Sequence, residues 1–449
     1  MGKFLANHLQ ATSRRGGGTR KKKEKASGVR KEETQCKKFE DLKQKLKCLV
    51  KAAKGTKPEK RHLVNAKLRL CSDCAGMGAD LVALRLLGLS RRVKPVCWSE
   101  IDSSKISLYK AVAKACGIKL EGTHKPQSVF HRNHEDSPAS DIYVAGYPCP
   151  AFSSLGHGRG IVDEAGRGLV GLSALQYVCH HRPSLCILEN VTGVLHKKNR
   201  PYRRVLEKVF QGLNYDLHMK VLNTQDYGIP QSRRRLYMVA IREDQKVKRF
   251  KWPEKRNLSV NALKQFLDRG TSGTEILDLS KHTRAKGVSE ADLWEKACVL
   301  DVGSSAKFQC GRTGRTPCLT RARLQQRPIG FYVPRLKRRL LISEALRLQG
   351  YPDQLLQPLL DATDQSESKV GAALGDGMSV NVLSAVLGTA LASVGVNAKN
   401  KPWMEVVSAK DVRQEANRQS LSCVATCAEN GCPAKQVRAN FVDGDSHGP

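Results

Sequence analysis

Between Lys67 and Arg242 short strand-like runs alternate with apolar helical ones, and this alternation constrains the fold more than any other feature of the chain. Strands are expected at Lys67–Ser72, Lys94–Ser99, Asp141–Gly146, Leu185–Leu188 and Leu236–Arg242. Helices are expected at Asp80–Leu89, Ser103–Cys116, Leu169–His180 and Tyr202–Gln211. Such alternation builds a mainly parallel sheet covered on both faces, so the fold class is α/β. After Arg242 the rhythm stops. Residues 243–316 are polar, and apolar helical patterns return only at Ile342–Leu348 and Val380–Val394.

Charge bounds the partners. The chain has 77 Lys and Arg against 42 Asp and Glu, a net +35 that calls for a polyanion, nucleic acid before an anionic membrane surface. Residues 1–66 hold 20 of the cations and 6 of the acids, and read as a basic, disordered tail that binds phosphate backbone or directs nuclear import. Within it Phe39–Ala53 has helical periodicity and is a candidate ordered basic helix. Residues 399–449 read as a second polar tail. The longest apolar runs, such as Leu81–Leu87, fall far short of the ~20 residues that cross a bilayer. Fifteen cysteines without a secretory signal read as reduced thiols, which leaves a thiolate nucleophile chemically possible. Cys423, Cys427 and Cys432 are too loosely spaced for a metal site, and no metal is expected.

Three motifs fall at strand ends, where loops of an open α/β sheet converge on one crevice. The turn Gly76-Met-Gly78 follows the first strand, and Trp98-Ser-Glu100-Ile101 ends the second. Glycines let the backbone approach a nucleotide-like ligand, and an acid at the second strand suits the hydroxyls of a ribose. Beyond the third strand lies Gly146-Tyr-Pro148-Cys149-Pro150, followed downstream by Leu188-Glu189-Asn190-Val191 and Gln231-Ser-Arg233-Arg-Arg235. A thiol, a carboxyl and two guanidiniums are thereby aimed at one place.

In their order these blocks resemble the cytosine-5 DNA methyltransferase family over about residues 67–395, joined by Glu344-Ala-Leu-Arg347-Leu-Gln349-Gly350 and Leu374-Gly375-Asp376-Gly-Met378. The resemblance implies a Rossmann-like fold binding S-adenosyl-L-methionine (AdoMet), with a catalytic domain at 67–242 and 317–398 around a target-recognition segment at 243–316. It implies that Cys149 adds to carbon 6 of cytosine and that Glu189 keeps ring nitrogen 3 protonated. Arg235 would hold the carbonyl oxygen of the base and Arg233 would support the loop and substrate. Asn190 is expected to position the loop, and Arg234 to be surface charge. Cofactor contacts are implied at Cys74, Gly76, Gly78, Glu100, Ile101, Pro148, Asp376 and Met378. The substrate would be duplex DNA with a flipped cytosine, acted on by a monomer in a nucleus or a bacterial cytoplasm. A tRNA substrate and a non-enzymatic nucleic-acid binder are the competing readings. The chain departs from the family pattern at Ser72, Cys74, Ala79, Pro150 and Asp376, which bears on cofactor affinity.

Overall fold

The computed structural model describes residues 19–120, 128–153, 159–259, 261–269, 272–277, 298–303 and 314–398, with side chains from residue 31. Residues 399–449, with the three tail cysteines, lie outside the described residues, as do Trp294 and Phe308 of the central segment.

Strands β1 (Leu68–Asp73), β2 (Val93–Trp98), β3 (Ile142–Ala145), β4 (Leu185–Val191), β5 (Tyr215–Asn223) and β6 (Arg234–Arg242) form one sheet in the order β2-β1-β3-β4-β6-β5. The pairings from β2 to β4 are parallel, and β6 runs antiparallel between β4 and β5. The sheet is therefore mainly parallel along its order from β2 to β4, as the alternation requires. Strand β5 gave no sequence signal. It is an edge strand whose residues are mostly half-buried on both faces, so period-2 alternation never develops.

One face of the sheet is covered by three helices: α1 (Thr19–Lys54), α4 (Val170–His181) and α5 (Arg200–Gly212). Helices α2 (Ala79–Leu86) and α3 (Ser103–Ala115) follow the first two strands. After the central segment come α6 (Ile342–Leu348), α7 (Glu367–Asp376) and α8 (Val380–Ser393), with α8 packed on α2 and reaching β4 and β6. Among the described residues no single helix is long and apolar enough to cross a membrane.

The expected disordered tail is corrected by α1. Gln35, Phe39 and Leu46 are buried, and Leu42, Leu49, Val50 and Ala53 pack with them against the core. Steps of three and four residues put these side chains on one stripe of a helix. The candidate helix at Phe39–Ala53 is thus present and extends back to Thr19, through a lysine-rich stretch whose composition hid it. A second difference concerns the central segment. Its strand β7 (Leu300–Asp301) pairs with β8 (Phe331–Val333), which pairs with β9 (Arg338–Arg339), so a small sheet crosses the boundary expected at 316.

Candidate active site

The Pro148-Cys149 turn hangs from the carboxyl end of β3. The Cys149 carbonyl accepts from the N–H groups of Phe152 and Ser153, both at 2.9 Å, which closes one turn immediately after the thiol. Asn190, fully buried on β4, donates its amide to the Tyr147 carbonyl at 3.0 Å and accepts from the Val191 N–H at 2.8 Å. One side chain thus ties the cysteine loop to the neighbouring strand, as the sequence reading expects of Asn190. Gly193 permits the close approach, since a Cβ there would run into the Phe152 carbonyl.

Register brings the other groups to the thiol. In the β4–β6 pair Glu189 lies opposite Tyr237 and Val191 opposite Arg235, so Glu189 and Arg235 are diagonal neighbours on one face. Glu189 is 7 % exposed, its Oε1 is 3.4 Å from Arg235 Nε, and that oxygen makes no hydrogen bond. Burial pushes the Glu189 pKa above the ordinary carboxylate range, with Arg235 and Arg233 pulling partly back. Burial likewise pushes the Cys149 thiol up, Arg235 pulls it down and Glu189 pushes it up again. Thiol, carboxyl and guanidinium therefore feel one another directly.

Arg233 is 2 % exposed and spans three segments. It donates to the carbonyls of Leu319 at 2.9 Å, Gly375 at 3.2 Å and Gly377 at 2.6 Å. Its part is to fasten the β6 entry to the chain's return, while Arg234 is exposed. Cys318 was not singled out in the sequence. Its sulfur lies 3.5 Å from Arg233 and 3.8 Å from Arg235, whose charges outweigh its burial and hold the thiol below the usual range. No local motif marks it, because the contact joins residues more than eighty positions apart.

Of the residues expected at a cofactor, Cys74, Gly76, Gly78, Glu100 and Ile101 lie at the carboxyl ends of β1 and β2, Pro148 follows β3, and Asp376 and Met378 lie at and just beyond the end of α7. Glu100 accepts from the N–H groups of Gly76 at 3.0 Å, Ile101 at 2.8 Å and Asp102 at 3.1 Å, which fixes its carboxylate over the glycine turn. Gly76 and Gly78 have φ of 57° and 76°, and a Cβ on Gly76 would enter nearly open space. Ile101 is 78 % exposed, an apolar face beside that acid. Cys74 also has a positive φ of 53°, and burial pushes its thiol well up, with Asp73 and Glu100 adding to the rise. Met378 packs against Gly146, two residues before Pro148. Asp376 pairs with Lys105 at 2.7 Å and with Arg321 at 2.8 Å. Neither of those two cations was expected from the sequence. Asp73, by contrast, is buried on the opposite side, held by Arg132 at 2.6 Å and by the Tyr143 hydroxyl at 2.7 Å.

Comparison with known proteins decides the family. Residues 68–391 match the family of the C-5 cytosine-specific DNA methylases. The chain belongs to that family. The type II methyltransferase M.HhaI of Haemophilus parahaemolyticus is 26 % identical over 340 residues, covering 75 % of this chain and 97 % of that one. M.NgoBI of Neisseria gonorrhoeae, another type II methyltransferase, is 31 % identical over 259 residues, 56 % of this chain and 74 % of that one. Among solved structures, the Dnmt2 methyltransferase of S. pombe aligns with a TM-score of 0.49 at 17 % identity, covering 72 % of this chain and 98 % of that one. In this C-5 methylase the matched region begins at β1, so helix α1 lies outside it.

Proposed function

We propose that the chain methylates carbon 5 of cytosine in duplex DNA, through a covalent bond between Cys149 and carbon 6. One observation carries the reading: the Cys149 loop, the buried Glu189 carboxyl with an oxygen free of hydrogen bonds, and Arg235 3.4 Å away stand together at the sheet's carboxyl edge. The cradle beside it fits AdoMet. Glu100 is pre-oriented for a ribose diol, Ile101 offers an apolar face to the adenine, and Gly76, where a Cβ would meet nearly open space, leaves room for the nucleoside. Lys105 and Arg321 offset the charge of Asp376, so that acid would not by itself repel an anionic group of the cofactor. When bound, AdoMet supplies the electrophilic methyl that carbon 5 takes.

The protein's part is to make carbon 5 nucleophilic. The Cys149 thiolate forms the S–C6 bond, and the displaced π electrons move into the ring. The Glu189 carboxylic acid gives its proton to nitrogen 3, so the ring gains no net charge from the thiolate. Arg235 holds the carbonyl oxygen and Arg233 braces the strand that carries it. After methylation a base removes the proton on carbon 5, the S–C6 bond breaks, and Glu189 recovers its proton from nitrogen 3. A cytosine inside a duplex cannot enter this pocket, so it must flip out. All these groups come from one chain, so a monomer should be competent, in whichever compartment holds the DNA.

The test is transfer of radiolabelled methyl from AdoMet to a pool of randomised duplexes and, separately, to tRNA. Label recovered as 5-methylcytosine in the duplexes supports the reading. Label in tRNA alone would move the substrate to RNA.

A further inference from the structure

A cavity of about 610 Å³ lies at the end of the sheet opposite Cys149, between the C-terminal ends of α1, α4 and α5. Its wall carries Lys54, Lys57, Lys60 and Arg182, besides Arg242, which is paired with Asp244 at 2.6 Å. Among the described residues none of the first four has a carboxylate partner; Glu59, the acid between them, turns away to Arg69 at 2.8 Å. Arg182 donates to the carbonyls of Ala53 at 3.0 Å and Thr56 at 2.7 Å, which offsets part of the negative end of α1.

Helix α5 connects this cavity to the active site. It begins shortly after β4, the strand of Glu189, and its last residue, Gly212, lines the cavity. Its exposed cations Arg200, Arg204 and Lys208 repeat every four residues, which puts them on one face. The helix's own acid, Glu207, is engaged by Arg203 at 3.4 Å. Thirteen residues at 1.5 Å each span about 20 Å. Over such a length a duplex presents one phosphate per ~1.7 Å. Gly212 also seats α1, since a Cβ there would meet the Val50 side chain at 2.5 Å. Helix α1 thus completes the cavity although it lies outside the family match.

We infer that the outer face of α5 and the α1–α4–α5 cavity form one phosphodiester track, which holds nucleic acid flanking the target cytosine. The inference rests on the nucleic-acid substrate proposed above. Charge rather than shape selects this ligand, so the contact adds affinity without sequence choice.

The full chain should be titrated with a duplex of about one helical turn (~10 base pairs) and with one of about three turns. Wild-type protein should bind the longer duplex roughly tenfold or more tightly and with a steeper salt dependence. The variants Arg204→Glu/Lys208→Glu and Lys54→Glu/Lys57→Glu/Lys60→Glu should lose that gain. Their salt slopes on the long duplex should flatten by about 0.9 for each phosphate contact removed. Methyl transfer to the short duplex should be unchanged in both, which separates the track from the active site. Equal binding of the two duplexes by wild type, or full retention of the gain by folded variants, overturns the track. So does equally tight, variant-sensitive binding to vesicles of anionic phospholipid, which would make the surface a membrane contact.

Discussion

Glu189 concentrates the chemical argument, because an acid that donates to nitrogen 3 must still hold its proton when Cys149 has lost one. Burial raises both groups above their ordinary values, the carboxyl from a lower starting point than the thiol. The competent form, thiolate with carboxylic acid, is therefore a minor form of the singly protonated pair, and its share is constant between the two titrations. In the free enzyme kcat/KM should accordingly fall at acid pH, hold a plateau between the two titrations and fall again at alkaline pH. Glu189→Gln should lower the rate strongly and remove the acid limb's partner. Its kcat/KM should then climb about tenfold per pH unit through neutrality until Cys149 is ionised. A Gln variant with the wild-type plateau would sink the proton-donor role. The residue types of this site were legible in the sequence because Pro-Cys, Glu-Asn-Val and Gln-x-Arg-x-Arg are local signals at strand ends. Cys318, Lys105 and Arg321 were not, since each acquires its partner only through tertiary contact.

Helix α1 shows how charge can conceal part of an element. Its periodicity was readable over Phe39–Ala53, while the lysines and arginines of the turns before it made the rest of the helix look like a solvated tail. Leu46, completely buried, is the sharpest test of docking. Leu46→Ala should destabilise the full chain by roughly 2–5 kcal/mol, measured as a shift in the denaturant midpoint. The neighbouring Lys47, exposed, should change it by no more than about 0.5 kcal/mol on replacement by Ala. Equal, negligible effects at the two positions would mean that the helix does not hold to the core. Apart from β5, the alternating strands and helices of 67–242 were readable for the opposite reason: each carries its burial pattern in its own few residues. Helix α7 was missed because it is short and holds Gly371 and Gly375, which look like breakers. They are needed because a Cβ at either would strike the short helix at Arg321–Leu324 or the residue preceding it. The small sheet was equally unreadable, since β7 and β8 stand thirty residues apart and pair over only two positions.

At the scale of the molecule, topology gathers the thiol, the acid and the arginines, and the net charge of +35 supplies a partner they can act on. The central claim is that Cys149 makes and breaks a bond to the target base. It is tested most directly with randomised duplexes carrying 5-fluorocytosine, from which the fluorine cannot leave as a proton does. With AdoMet present, the wild-type chain should be trapped as a complex stable to denaturant, and peptide mapping should place the base on Cys149. Cys149→Ser should trap nothing, because a hydroxyl is barely ionised near neutral pH. A complex that persists in Cys149→Ser, or maps to another cysteine, would contradict the account. The absence of any complex with folded wild-type protein that binds both AdoMet and duplex would contradict it too.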